Sequence, residues 1–150
     1  LRIWPSINYL SISGYLLLAP LASHIFMNRI LPLMVEGDSS NIGLQYVAHG
    51  FALHKYAPWV AYTALLGVGV GHMVWGWAKW LDVAPPHQWK KTTFDKQLRK
   101  KRRRSWWAIN SIAVLITGVW AAGGLGVVAR AGLTEGWLGT VYDNIYSYGP

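Results

Sequence analysis

The 150-residue chain has no cysteine, so it contains neither a disulfide nor a thiolate-bound metal. Charge is also scarce: 13% of its residues are charged, against about 25% in soluble domains, and only six residues are acidic. No nucleophile is paired with a base, and no two carboxylates lie together near an apolar segment. The sequence therefore favours a protein that is not an enzyme.

Charged residues are missing altogether from residues 3–28, 56–78 and 105–129. Each segment exceeds the roughly 20 apolar residues that a helix needs to cross a ~30 Å hydrocarbon layer. A soluble protein this short could not cover three helices that are apolar on every face. We therefore predict an all-α membrane protein.

The predicted architecture is one transmembrane domain over residues 1–150. Its spans are expected at about 7–30, 58–81 and 105–129. An amphipathic helix over 42–57 is expected to lie at the membrane interface. Because the chain starts without methionine, we expect it to be part of a longer protein.

Nine of the fourteen basic residues lie in residues 90–104, and the chain carries a net charge of +8. A nucleic-acid site is disfavoured, because the segment joins two spans and leaves no room for a folded reader. We predict a basic loop on the non-translocated face, here called side A, with the opposite face called side B. Cations at this position attract anionic lipid headgroups. The residues predicted to do so are Lys90, Lys91, Lys100, Lys101, Arg102, Arg103 and Arg104.

Two histidines, His24 and His72, lie inside apolar spans, where an ionisable group is costly unless it is neutral and has a partner. One interpretation is a neutral imidazole that is hydrogen-bonded to a neighbouring helix. Another is haem b, whose iron takes neutral imidazole ligands in apolar surroundings. Gly69 and Gly76 flank His72 on the same helix face and would clear a slot for a flat macrocycle.

The depths of the two histidines argue against a shared iron. At 1.5 Å per residue, His24 and His72 differ in depth by roughly 9 Å. A better-placed mate for His24 is His49 or His54 on side B. Another membrane subunit or a second copy of the chain could also supply the second ligand.

The spacing of Ser13, Gly14 and His24 resembles that of the di-haem cytochrome b anchors of succinate dehydrogenase and fumarate reductase. The later stretch "HMVWGWAKW" within residues 58–80 is similar to the next helix of those anchors. This resemblance implies a cytochrome-b-anchor-like fold and a haem b subunit that passes electrons to quinone. The sequence departs from the quinone-site pattern at Leu10 and Ser11, where those anchors carry His-Arg.

Residues 6–81 resemble more closely a fungal mitochondrial adapter family, the membrane receptors of the lipid-transfer protein Vps thirteen. This resemblance implies a multi-pass protein of a mitochondrial membrane, the outer rather than the inner. It also implies an adapter in lipid homeostasis at membrane contacts, with membrane lipids and a lipid-transfer protein as partners. The haem b electron-transfer anchor is the alternative, and a purely structural protein would leave both histidines unexplained.

Overall fold

The computed structural model describes residues 8–149, which form helices and no strand. Three helical stretches are long and apolar enough to cross a membrane, namely Tyr9–Glu36, Ala57–Trp80 and Lys96–Arg130. The prediction of an all-α membrane protein is therefore confirmed. The predicted start of the first span at residue 7 lies outside the described residues.

The first spanning stretch consists of α1 (Tyr9–Ile25), a π-helical segment (Phe26–Ile30) and α2 (Leu31–Glu36). It begins at Asn8, whose side chain accepts a hydrogen bond from the backbone N–H of Ser11. It ends at Gly37, whose φ of 83° is left-handed and suits glycine. The helix thus passes the predicted end at residue 30 and stops at a glycine that favours a C-terminal cap.

The second spanning helix, α4 (Ala57–Trp80), packs against both the first and the third stretch. The short helix α5 (Trp89–Thr92) follows on side A. The third stretch begins with α6 (Lys96–Ala121) and continues through a π-helical segment (Ala122–Val127) and a 3-10 turn (Val128–Arg130).

The predicted basic loop over residues 90–104 is wrong from residue 96 onward, because α6 starts inside it. Asp95 caps this helix, since its carboxylate accepts the N–H of Leu98 at 2.6 Å. The lysines and arginines that follow are good helix formers. Residues 96–104, here called the basic arm, therefore extend the third span as a helix on side A.

On side B, α2 packs with α3 (Leu44–Leu53) and α7 (Gly136–Ser147) in a small domain that we call the B-side cap. Its core consists of Leu31, Tyr46, Tyr142 and Ile145. The predicted amphipathic helix over 42–57 corresponds to α3, which is shorter because residues 54–56 separate it from α4. The tail of the chain completes the cap.

Candidate functional site

The imidazole of His72 on α4 lies against Ser13 and Gly14 of α1. The Ser13 hydroxyl lies within hydrogen-bond distance of two groups, the Leu10 carbonyl at 2.8 Å and Nδ1 of His72 at 3.0 Å. Because a hydroxyl has a single proton, a Ser13 that donates to Leu10 can accept from an Nδ1–H of His72. In that tautomer Nε2 is the acceptor nitrogen of the ring.

Gly14 allows this close approach between the two helices. A Cβ placed on Gly14 would lie 3.2 Å from Cε1 of His72, which is closer than ordinary packing allows. Ser13 offers the ring a hydrogen-bonding partner, while Gly14 makes room for it. Ser13 and Gly14, whose spacing to His24 carries the resemblance to cytochrome b anchors, thus contact His72 in the structure.

A cavity of about 730 Å³ opens beside His72 at the side-A end of the bundle, and we call it the A-side cavity. Its volume lies within the range of about 300–1,000 Å³ that is typical of small-molecule sites. The wall combines apolar, aromatic and polar side chains. Its lining residues include Leu10, Ser13, Leu16, Val68, His72, Trp75, His87, Trp89, Lys90, Lys91, Trp106 and Asn110.

The glycines that open the A-side cavity are Gly67 and Gly71, with no atom within 4 Å of a Cβ placed on either. Gly69 and Gly76, at which the sequence predicts a slot, lie outside the A-side cavity. Gly69 faces the side chain of Leu17 at 3.4 Å, and neither predicted glycine lines the cavity. The positions of α1 and α6 decide which face of α4 borders a cavity, and spacing along α4 alone does not determine them.

His24 lies in a different and smaller cavity of about 170 Å³, together with His54. The Asn28 amide nitrogen donates to the His24 carbonyl at 2.8 Å and also faces Nδ1 at 3.4 Å. The Tyr62 hydroxyl lies 3.4 Å from the other end of that amide, the Asn28 side-chain oxygen. His24 therefore has polar neighbours both on its own helical stretch and on α4.

His49 is 1% exposed and holds the B-side cap together. The backbone N–H of Thr134 donates to Nδ1 at 3.1 Å, so Nε2 carries the proton and donates to Asp143 at 2.9 Å. Both ring nitrogens are thus engaged. His49 connects α3 to α7 and to the segment that follows the third span.

Three tyrosines surround His49 in the cap. Burial raises the pKa of Tyr46 to about 12, and burial also raises the pKa of Tyr146. Both hydroxyls therefore stay protonated and act as donors, Tyr46 to the Met27 carbonyl and Tyr146 to the Tyr46 carbonyl. The rings of these two tyrosines stack with centroids 4.6 Å apart. The third, Tyr142, donates to the Asn41 carbonyl.

Among the predicted ligands, His72 is the one whose surroundings fit haem b. Its Nδ1 has a hydrogen-bonding neighbour in Ser13, as metal-bound histidines have, and it lines a cavity of sufficient volume. The cavity of His24 and His54 is smaller than a typical ligand site. His49 has no free nitrogen.

His24 and His72 line separate cavities. The A-side cavity contains a second imidazole, His87, which the sequence analysis did not consider as a ligand. Its ring lies 5.7 Å from that of Tyr9, centroid to centroid. Among residues 8–149, no three His, Asp or Glu side chains lie close enough together to hold a metal ion.

The predicted headgroup residues divide into two groups. Lys90 and Lys91 line the A-side cavity, whereas the other five belong to the basic arm. Of these five, Arg102 donates to the Thr93 hydroxyl, and the rest are exposed: Lys100, Lys101, Arg103 and Arg104. The arm therefore presents free cations on side A.

A family model described as MDM10-complementing protein 1, transmembrane domain, matches residues 20–133. No curated protein and no solved structure matches the chain significantly. The match covers all three spans except the first turns of the first one. The resemblances to cytochrome b anchors and to a Vps thirteen receptor stay predictions.

Proposed function

This chain belongs to the MDM10-complementing protein 1 transmembrane family, and we propose from that membership that it is a non-catalytic adapter. The three apolar helices and the family together make it a multi-pass membrane protein of mitochondria. In the proposed role the bundle anchors the protein in the outer membrane. The basic arm then contacts anionic lipid surfaces in lipid homeostasis.

The observation that carries this proposal is the length of the third helical stretch, which is 35 residues. At 1.5 Å per residue it measures about 52 Å, whereas the hydrocarbon core is ~30 Å thick. The excess falls at the basic end, since residues 105–129 carry no charge. The arm therefore extends from the membrane as a charged helix, which suits recognition of an apposed anionic membrane. A lipid-transfer protein remains the proposed protein partner.

Neutralising the exposed cations of the arm tests this role. We expect replacement of Lys100, Lys101, Arg103 and Arg104 by glutamine to weaken binding to anionic vesicles strongly. Each cation near an anionic surface contributes about 1 kcal/mol, so the loss could reach roughly a thousandfold at low salt. The measurement is flotation of anionic vesicles with the protein held in zwitterionic nanodiscs, and Arg102 is kept because it contacts Thr93.

A charge-preserving variant serves as the matched control. Exchanging lysine and arginine at the same four positions keeps the charge and should keep the binding, while raised salt should weaken it. Unchanged vesicle binding by the glutamine variant would show that the arm serves another purpose, such as topology alone.

Binding of haem b is a second candidate function, and the place of His72 beside both Ser13 and the A-side cavity favours it. Haem supplies one-electron chemistry when bound. In this chain His72 would ligate the iron, and the ammonium groups of Lys90 and Lys91 would neutralise the two propionates. Ser13 would keep the ring in the ligating tautomer, as supporting hydrogen bonds do at metal sites.

The absorption spectrum of the detergent-purified protein after incubation with haemin tests this second function. We expect a Soret band and sharp reduced α and β bands that disappear in His72→Ala and persist in His24→Ala. His24 is the matched control because it is also an intramembrane histidine but has no fitting cavity. Bands that survive His72→Ala, or a colourless protein, would contradict this candidate.

A further inference from the structure

A fixed positive charge stands at the mouth of the A-side cavity. The ammonium of Lys90 lies 5.5 Å from the ring centroid of Trp106 and 5.9 Å from that of Trp89. Trp89 is buried, so its ring is a rigid support. Contact with two indole faces holds a cation in place without neutralising it. Lys91 adds a second ammonium at the same rim.

The wall of the cavity is apolar over part of its length and also carries polar side chains, two of them in defined contacts. Leu10, Leu16 and Val68 contribute the apolar wall. One polar point is the imidazole of His72, which contacts Ser13. The other is the pair formed by the Trp75 indole N–H and Asn110, 3.4 Å apart. A cavity with a charged mouth and an apolar body matches a ligand that combines an acid group with apolar bulk.

We propose that the A-side cavity binds an anionic amphiphile, with its acid group at Lys90 and its apolar body between α1 and α4. Phospholipid phosphate and haem propionate share this chemistry, so both are sources to be separated by experiment. The inference is independent of the adapter role, which uses the cations of the basic arm. If the bound amphiphile is haem, this proposal coincides with the second candidate function.

Native mass spectrometry of the delipidated full chain tests the proposal with three probes: phosphatidylglycerol, phosphatidylcholine and haemin. We expect retention of phosphatidylglycerol or haemin and little retention of phosphatidylcholine. The double replacement Lys90→Gln with Lys91→Gln should weaken the retained anionic probe at least tenfold. Lys79→Gln is the matched control, because Lys79 is an exposed cation near the same membrane face and does not line the cavity.

Two further variants distinguish phospholipid from haem as the ligand and test the cavity without changing its lysines. Gly71→Leu places bulk into the cavity, where nothing lies within 4 Å, and should abolish retention with all lysines present. His72→Leu should abolish haemin retention and leave phosphatidylglycerol bound. Equal retention of phosphatidylcholine, or retention unaffected by both the double lysine variant and Gly71→Leu, would overturn the proposal. So would the absence of retained phosphatidylglycerol and haemin.

Discussion

Replacing Gly139 with alanine is expected to open the B-side cap while leaving the spans folded. A Cβ on Gly139 would overlap the carbonyl oxygen of Thr134 and lie 3.0 Å from its carbonyl carbon. Because the obstacle is backbone, no change of rotamer can relieve the overlap. Thr134 must move, and its N–H then loses His49. We expect a cost of about 3 kcal/mol, as for overpacking in a well-packed interior.

Hydrogen exchange of the protein in nanodiscs measures this effect locally. Amides of α3 and α7 should lose roughly a hundredfold protection, whereas amides of α4 should be unchanged. Gly43→Ser is the matched control in the same cap. Nothing lies within 4 Å of a Cβ there, and serine is favoured at the N-terminal cap position that Gly43 holds. Normal protection in Gly139→Ala would mean that α7 does not pack against the backbone of Thr134 as described.

The spans could be predicted from the sequence because crossing a membrane imposes a simple requirement on each segment. Uncharged stretches of more than about 20 residues identify the helices directly. Their ends were less certain, since apolar length does not determine where a helix stops. Gly37 and Asp95 set two of those ends through local capping. Asp95 was a visible signal that the basic segment starts a helix.

The B-side cap was only partly predictable, because its stability comes from contacts between distant segments. Residues 136–147 look like a short polar and aromatic tail, and their partners lie about 100 positions earlier. The bonds from Tyr142 to Asn41 and from Tyr146 to Tyr46 illustrate this distance. Spacing within one segment carries no information about such pairs.

The candidate site shows the same limit. His72 was identified as unusual from its surroundings in the sequence, and that much follows from the cost of a polar group in hydrocarbon. Its contacts with Ser13 and Gly14 were not predicted, because these residues lie 59 and 58 positions away and were interpreted by their spacing to His24. Lys90 and Lys91 were predicted as lipid contacts, but the approach of Lys90 to two tryptophan rings depends on the turn before α6.

Replacement of His49 by leucine is expected to have the second large effect on the cap. Leucine is similar in bulk but can neither accept from Thr134 nor donate to Asp143, so it leaves two polar groups without their partner. The exposed Asp143 carboxylate can bond to water instead, so the cost falls on the half-buried N–H of Thr134. An unpaired buried group costs about 1–3 kcal/mol, and we expect a total of about 2 kcal/mol. Protection of α3 and α7 amides should fall as in Gly139→Ala.

Asp143→Asn is the matched control for His49, since it separates the two bonds. The side chain of Asp143 is 60% exposed, and an amide oxygen still accepts from Nε2, so we expect a loss below about 1 kcal/mol. A small effect of Asp143→Asn with a large effect of His49→Leu would show that His49 stabilises the cap mainly through its burial and its bond to Thr134. Equal and small effects would instead reduce His49 to a space-filling residue. The cap would then depend on its tyrosine cluster, whose stacked rings would have to hold α7 against α3 without a polar connection.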